Sequence, residues 1–345
     1  MFKPIYVITS GILNNLIKTA EAKAVLENAY LVPKWEVALR REALIRNAHA
    51  STAIEGNPLT LEQVSELARG RDIMATRKAK GEVLNYLKVL EDLPNLSEDG
   101  KITEKAILTI HRLLTKGVLD KSTDSGAYRN RQVVIGNRIT GVITFRPPDA
   151  KAVPILMKAL VEWLNSKDSS DTNPVLEAGI GHYEFVRIHP FVDGNGRTAR
   201  TLASLILYLR GFDTKRFFAL DDYYDSDRQA YYNALQSVDP KTLDITEWLE
   251  YFTYGVALQI EGVKKRVMSL SADIKKKKVM GQISLTERQM KIVERINTSD
   301  HITNKMIREM FKLSDEGALK EINKLVKLGV LKLQGKGRSI KYILA

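Results

Sequence analysis

Cysteine is absent from all 345 residues. That excludes disulfides, thiolate metal centres and cysteine nucleophiles, and it fits a reducing compartment. Long apolar runs are missing as well: no stretch approaches the roughly 20 residues that span a bilayer. The opening MFKPIYVITSGILNN lacks an apolar core followed by a small-residue cleavage site. The expectation is a cytoplasmic protein without a membrane partner. No GxxxxGK(S/T) occurs, so a nucleotide cannot be held by a P-loop, and no HExxH occurs. No internal repeat is present.

Apolar residues make up 44% of the chain and charged residues 27%, an ordinary globular balance, and the length allows two or three domains. The net charge of +12 is uneven: residues 263–345 hold 20 Lys/Arg against 8 Asp/Glu, which leaves the first 262 near neutral. Attraction to a polyanion therefore belongs to the C-terminal quarter.

Helical periodicity dominates up to about Met268. Over 35–54 apolar residues recur at spacings of three and four, and Gly56 and Pro58 end the segment. LTLEQVSEL behind Thr60, KGEVLNYLKVLEDL, and ITEKAILTIHRLL behind Thr103 read as further helices, with a loop over 94–100. QVVIGNRITGVITFRPP has two β-rich runs, 132–135 and 142–145, and predicts a β-hairpin among helices. VPILMKALVEWLN, PVLEAGIGHYEFVRI and RTARTLASLILYLRG follow as helices. Lys275 to Lys278 mark a basic linker over 263–283. Residues 284–345 then give helix, helix, helix and hairpin, with Gly335 and Gly337 at the turn, a pattern that resembles a winged helix-turn-helix. The expected fold is mainly α with one β-hairpin, plus a small α+β C-terminal domain. The expected domains are a helical region 1–100, a core 101–262, the linker 263–283 and the domain 284–345.

The densest chemistry lies in HPFVDGNGRTAR, from His189 to Arg200. Pro190 cannot continue the helix before it, so His189 sits at a helix end and a loop follows until Asn195 or Gly196. That loop is placed at the N-terminus of the next helix, where free N–H groups and the helix dipole favour phosphate. The glycines let the backbone approach an anion closely. Arg197 and Arg200 share one helix face, and each can fork onto phosphate oxygens. Asp193 would be repelled by phosphate unless a cation lay between them, which is how Mg²⁺ is commonly held. His189, with an unperturbed pKa of about 6.5, is the available general base. A metal site on His182 and His189 is a weaker alternative, and a bare Gly-Asn-Gly is more often only a turn.

The run His189-Pro190-Phe191-x-Asp193-Gly194-Asn195-Gly196-Arg197-x-x-Arg200 resembles the signature of the Fic family, and Gly126-x-Tyr128-Arg129 ahead of the hairpin fits it. The resemblance covers roughly 35–254. It implies the Fic helical fold with the hairpin as a flap, and transfer of AMP from ATP to Ser, Thr or Tyr hydroxyls of target proteins or of the chain itself. It implies that His189 deprotonates the target hydroxyl and that Asp193 holds Mg²⁺, or Mn²⁺ in its place. Asn195 and the amides of Gly194, Gly196, Thr198 and Ala199 would serve the α- and β-phosphates, Arg197 the β-phosphate and Arg200 the γ-phosphate. Ile135, Gly136, Asn137 and Arg138 would lie along nucleotide and target, and Tyr231 and Tyr232 near the adenosine, with ordinary core packing as the alternative role. Asp239 stands where relatives often have asparagine, so its nucleoside contact is an open question. Kinase-like relatives usually replace the second glycine with lysine; Gly196 favours AMP transfer.

STAIEGN, from Ser51 to Asn57, resembles the family's inhibitory (S/T)xxxE(G/N) motif, here N-terminal to the core, with Ser51, Glu55, Gly56 and Asn57 as regulatory positions. Glu55 falls in the last turn of a helix, where the dipole disfavours a carboxylate by about 0.3–1 kcal/mol unless a cation offsets it. The resemblance supplies that cation as Arg200. Some relatives carrying this glutamate also remove AMP. A competing reading is a DNA-binding regulator whose helical body senses a nucleotide. Lys320, Lys324, Lys327, Lys336 and Arg338 suit phosphates, but Asp315 and Glu316 open the helix that would read bases. The tail therefore leaves DNA, protein and a homo-oligomeric contact open.

Overall fold

The computed structural model describes residues 2–29, 31, 33–136, 143–213, 215–276, 285–299, 301–335 and 340–344. The chain divides into two compact units, Met1–Ala24 with Ala43–Val263, and Val25–Glu42 with Lys264–Ala345. Residues 1–24 and 43–262 thus fall in one compact unit, on both sides of the boundary expected at 100/101.

The first unit is helical apart from a small hairpin. α1 (Ser10–Asn28) and α2 (Pro33–Ile54) open the chain, and the unit boundary falls within each. α3 (Leu61–Ala68), α4 (Arg77–Glu91) and α5 (Glu104–Leu114) start where side-chain oxygens satisfy the first free amides. Thr60 and Gln63 form a reciprocal capping box, Thr76 accepts from the Ala79 amide, and Thr103 accepts from the Ala106 amide. α6 (Val153–Leu164), the single turn α7 (Lys167–Ser170), α8 (Pro174–Ile188) and α9 (Asn195–Leu209) follow the hairpin. α10 (Leu220–Ser226), α11 (Arg228–Gln236) and α12 (Thr246–Lys276) complete the helices of this part.

α8 lies at the centre of the first unit: from Val175 to Phe185 every residue is buried. A helix buried all round needs small residues where its neighbours cross. A Cβ on Gly179 would lie 2.9 Å from Leu249 and 3.0 Å from Phe252, and one on Gly181 would lie 2.8 Å from Ile206. The indole N–H of Trp248 donates to the Gly179 carbonyl at 2.8 Å, so α12 is both packed and hydrogen-bonded onto α8.

The hairpin is shorter than the sequence suggests. β1 (Ile135–Gly136) pairs antiparallel with β2 (Ile143–Phe145), with Ile135 opposite Phe145. Residues 132–134 are not a strand, because that register brings Pro147 and Pro148 opposite them and proline has no N–H to extend a ladder. The Gln132 side chain donates to the Pro147 carbonyl instead, at 2.9 Å. Asn137 and Arg138, expected along the nucleotide, lie outside the described residues.

The expected basic linker 263–283 begins as helix. α12 runs on through Lys276, so 263–276 is helix. A lysine-rich stretch without glycine or proline has good helix propensity, and its charge does not break the helix. Residues 277–284 lie outside the described residues. In the second unit, α13 (Glu287–Ser299), α14 (Asn304–Phe311) and α15 (Asp315–Lys327) precede an antiparallel pair, β3 (Leu331–Gln334) and β4 (Lys341–Leu344). This is the expected helix, helix, helix, hairpin order. Its core includes Ile292, Ile307, Ile322 and Leu325, and Val37 from the start of α2. Lys336 and Arg338 lie outside the described residues. Among the described residues no helix is long and apolar enough to cross a membrane.

The α8 crossing is testable. Gly179→Val should overpack it and cost about 1–3 kcal/mol in denaturant unfolding, with an unchanged m-value. An unchanged midpoint would contradict the close approach.

Candidate active site

α8 ends because Pro190 follows, and the last residue before the break, His189, adopts a left-handed backbone (φ 50°). Its amide still bonds the Phe185 carbonyl, at 3.0 Å. Arg129, itself buried, holds this turn from outside. Its Nε donates to the His189 carbonyl at 2.8 Å, its Nη2 to the Pro148 carbonyl at 2.6 Å, and its amide to the Pro190 carbonyl at 2.8 Å. The motif Gly126-x-Tyr128-Arg129 thus serves as a clamp on the turn that presents His189.

The His189 Nδ1 lies 3.3 Å from the Val186 carbonyl, which can only accept. Nδ1 therefore carries the proton and Nε2 keeps its lone pair. Burial pulls the imidazole down from 6.5 to about 4, although the Val186 carbonyl and Glu55 oppose this. At neutral pH the ring is uncharged and able to accept a proton.

After Pro190 the loop reaches α9 through Gly194 (φ 80°), and no side chain caps the helix. The first amides of α9 are thus left for another acceptor. Asn195, expected on phosphate, has its side chain buried with both ends on Phe191, accepting from that amide and donating to that carbonyl, each at 2.9 Å. It shapes the loop rather than reaching out of it. Thr198 likewise turns its hydroxyl to the Gly194 carbonyl, at 2.8 Å. Ala199 is buried.

Arg197 is 3% exposed, and its Nε and Nη1 have no hydrogen-bond partner among the described residues. Its nearest carboxylates, Glu82 and Asp193, are each 3.7 Å away. A buried guanidinium with unmet donors is costly, on the order of 1–3 kcal/mol for each unsatisfied group, and an anion would satisfy it. Asp193 is half exposed, with Oδ1 accepting from the Gly194 amide at 2.5 Å. One carboxylate beside a loop with free amides at a helix start has the chemistry to share a hard divalent cation with an anion placed there. Among the described residues no cluster of three metal-ligating side chains occurs. His182 is removed from metal binding: it is buried, bonded through Nε2 to the Tyr231 hydroxyl at 2.9 Å, and packed against Trp248.

Arg200 is 1% exposed, with its Nε and Nη2 engaged. Its Nε donates to the Ser51 hydroxyl at 2.7 Å, and its Nη2 to the Ser51 carbonyl at 2.8 Å and to Glu55 Oε1 at 2.9 Å. Burial works against its charge, but Glu55, Tyr231 and Asp221 outweigh burial and hold it well above the ordinary arginine value. Glu55 sits just past α2, where Gly56 (φ 89°) turns the chain. A Cβ on Gly196 would lie 2.1 Å from Glu55 Oε1, so only glycine leaves room for the carboxylate. Asn57 ties the same turn to α4, donating to Glu82 at 2.8 Å and to the Ala79 carbonyl at 3.0 Å.

Glu55, His189, Gly196 and Arg200 line one cavity of about 730 Å³ with Ile135, Gly136, Tyr231 and Tyr232. Tyr231 is buried, whereas Tyr232 is part exposed with its hydroxyl 3.4 Å from the Ile54 carbonyl. The neighbours of Asp239, Val238 and Pro240, line the cavity, while its own carboxylate accepts from the Lys241 amide at 2.6 Å within its turn. Sequence reasoning missed Glu82, His111 and the roles of Arg129 and Asn57. Their partners are distant in sequence, and only Gly126-x-Tyr128-Arg129 hinted at them.

Residues 101–207 match the Fic/DOC family model. The chain is 32% identical to protein adenylyltransferase Fic of Drosophila virilis over 227 residues, 61% of this chain and 44% of the relative. It is 33% identical to the Drosophila melanogaster protein of the same name, covering 61% and 43%. The chain thus spans less than half the length of the curated relatives it matches. A crystal structure of a Fic family protein from Desulfovibrio desulfuricans aligns over 100% of this chain and 98% of its own, with TM-score 0.66 and 25% identity. Fic-1 from C. elegans aligns over 76% and 73%, with TM-score 0.60 and 26% identity.

Burial of His189 has a pH signature. The unfolded ring takes a proton near 6.5, but the folded ring does not until about 4. The unfolded chain binds the extra proton between these values, so this group's contribution to stability is complete above 6.5 and declines as pH falls toward 4. Nuclear magnetic resonance of the His189 ring should show neutral-form shifts from pH 8 down to about pH 5. A midpoint near the ordinary value would contradict the burial.

Proposed function

We propose that this chain, a Fic family protein, is a protein adenylyltransferase that moves AMP from ATP to a hydroxyl of a protein target and is held back by its own Glu55. The observation that carries the reading is Arg197: a buried guanidinium with two unmet donors among the described residues, on the first turn of an uncapped helix that the His189 loop leads into.

The triphosphate would lie along the loop, with Arg197 and the first amides of α9 on its β-phosphate side and Arg200 on the γ-phosphate. His189 Nε2 takes the proton of the target Ser, Thr or Tyr hydroxyl as its oxygen bonds the α-phosphorus. The bond from that phosphorus to the bridging oxygen breaks, and pyrophosphate leaves. Mg²⁺, held by Asp193 and the phosphates, would offset the charge of the leaving group. Arg129 keeps the His189 turn in place, and the hairpin offers an edge for an extended target segment.

Glu55 opposes this by occupying the Nη2 that the γ-phosphate needs. With Glu55 seated, ATP would bind with its α-phosphate out of line, and transfer would be slow. The second reading, a regulator that only senses nucleotide, gives no reason for the clamp that Arg129 applies behind His189. The C-terminal unit serves a partner: the exposed face of α15 carries Lys320, Asn323, Lys324 and Lys327, and its first turn carries Asp315 and Glu316. DNA and protein both remain candidates for that face, as does a second copy of the chain.

The test uses purified wild type, Glu55→Gly, and Glu55→Gly with His189→Ala, incubated with α-labelled ATP, Mg²⁺ and cell lysate. Glu55→Gly should raise label on protein by about tenfold or more, the factor that 1.4 kcal/mol supplies. Adding His189→Ala should cut it by about 10²–10⁴-fold, the worth of a general base. No label in any of the three would overturn the reading.

A further inference from the structure

His111, near the end of α5, belongs to none of the loop motifs, yet it touches the loop more closely than any other side chain of that helix named above. Its imidazole is fully buried and lies flat on Phe191, with centroids 3.6 Å apart and planes within 2°. Both ring nitrogens are used. Nδ1 accepts the Gly126 amide at 2.9 Å, and Nε2 lies 2.9 Å from the Asp193 carbonyl. An amide can only donate and a carbonyl can only accept, so the ring is the neutral tautomer with its proton on Nε2. The adjoining Gly194 (φ 80°) has no room to shift: a Cβ there would lie 3.0 Å from Thr115 and 3.3 Å from the His111 Nε2.

We propose that His111 is a positioning residue for the phosphate and metal loop, acting through the peptide plane between Asp193 and Gly194. The inference rests on the adenylyltransferase reading of that loop. Asp193 is half exposed, so packing does not aim its carboxylate; its backbone must. With the Asp193 carbonyl held by Nε2–H, the Gly194 amide points the opposite way and captures Asp193 Oδ1 at 2.5 Å. One bond from His111 therefore sets both the carboxylate and the start of α9. Asn195 grips Phe191 at its backbone while His111 covers the Phe191 ring. Gly126, which supplies the bond to Nδ1, precedes Arg129 by three residues, so one segment supports both the loop and the His189 turn.

The test compares His111→Leu, His111→Gln and Ile110→Val in the full-length Glu55→Gly protein. Ile110 is a buried neighbour on α5, and its truncation weakens packing without touching the loop bonds. The readouts are melting temperature, amide hydrogen exchange across 191–196 without nucleotide, and the Kd of ATP with and without Mg²⁺. His111→Leu should speed loop exchange about tenfold and remove about tenfold of the affinity that Mg²⁺ adds, the scale of a lost ligand-orienting contact. His111→Gln, which keeps an acceptor and a donor, should restore part of both. Ile110→Val should lower the melting temperature and leave both unchanged. If His111→Leu does not fold, His111→Asn, with both groups on a shorter stem, carries the same comparison. Loop exchange that rises no more than in Ile110→Val, or a Mg²⁺ gain kept intact by the leucine variant, overturns the proposal. If the Glu55→Gly parent itself binds no ATP, the adenylyltransferase reading falls, and loop exchange alone decides on His111.

Discussion

The site is organised around one buried cation. Arg200 is almost inaccessible to water, and a charge in that position is tolerable only if it is paired and hydrogen-bonded. Ser51 and Glu55 meet that need from the end of α2. The same demand makes the pairing exchangeable, since a phosphate could replace the carboxylate while Ser51 keeps the Nε. An inhibitory contact built on a surface pair would be worth little, because exposed ion pairs contribute about 0–1 kcal/mol. On the proposed reading, burial is what would let a single glutamate compete with a nucleotide.

Around that cation the backbone is set by contacts between segments far apart in the chain. Pro190 ends α8 and turns His189 into the left-handed region, and Arg129 secures the turn. Gly194 and Gly196 bring α9 close, the first for its positive φ and the second because Glu55 lies where a Cβ would be. Arg197 and Arg200 sit one turn apart on α9 but in opposite conditions. Arg200 has its Nε and Nη2 bonded, while Arg197 keeps two unmet donors among the described residues. On the proposed reading, Glu55 would act as the brake through Arg200, and Arg197 would be the seat for a phosphate.

Much of this was legible in the sequence wherever the governing contacts are local. Thr60 and Thr103 cap the helices they precede, Gly56 turns the chain after α2, and Pro190 ends α8. Glu55 and Arg200 were paired through the family resemblance, since 145 residues separate them. The misses have physical causes too. Prolines opposite 132–134 shorten the hairpin, a property of register that composition does not reveal. The lysine run reads as a linker from its charge, yet the helix propensity of lysine lets α12 extend as far as Lys276. Asn195 and Asp239 are polar residues at the right places whose bonds are spent on their own loops. His111 reads as an ordinary core residue of an amphipathic helix because its partners lie 15 and 82 positions away.

The central claim is that Glu55 acts through Arg200. A double-mutant cycle on AMP transfer tests it most directly, with rates measured for the wild type, Glu55→Gly, Arg200→Ala and the pair. If the two residues form one switch, Glu55→Gly accelerates transfer only while Arg200 is present, and the pair is no faster than Arg200→Ala alone. Equal acceleration by Glu55→Gly in both backgrounds would show that the glutamate restrains the enzyme by some other route.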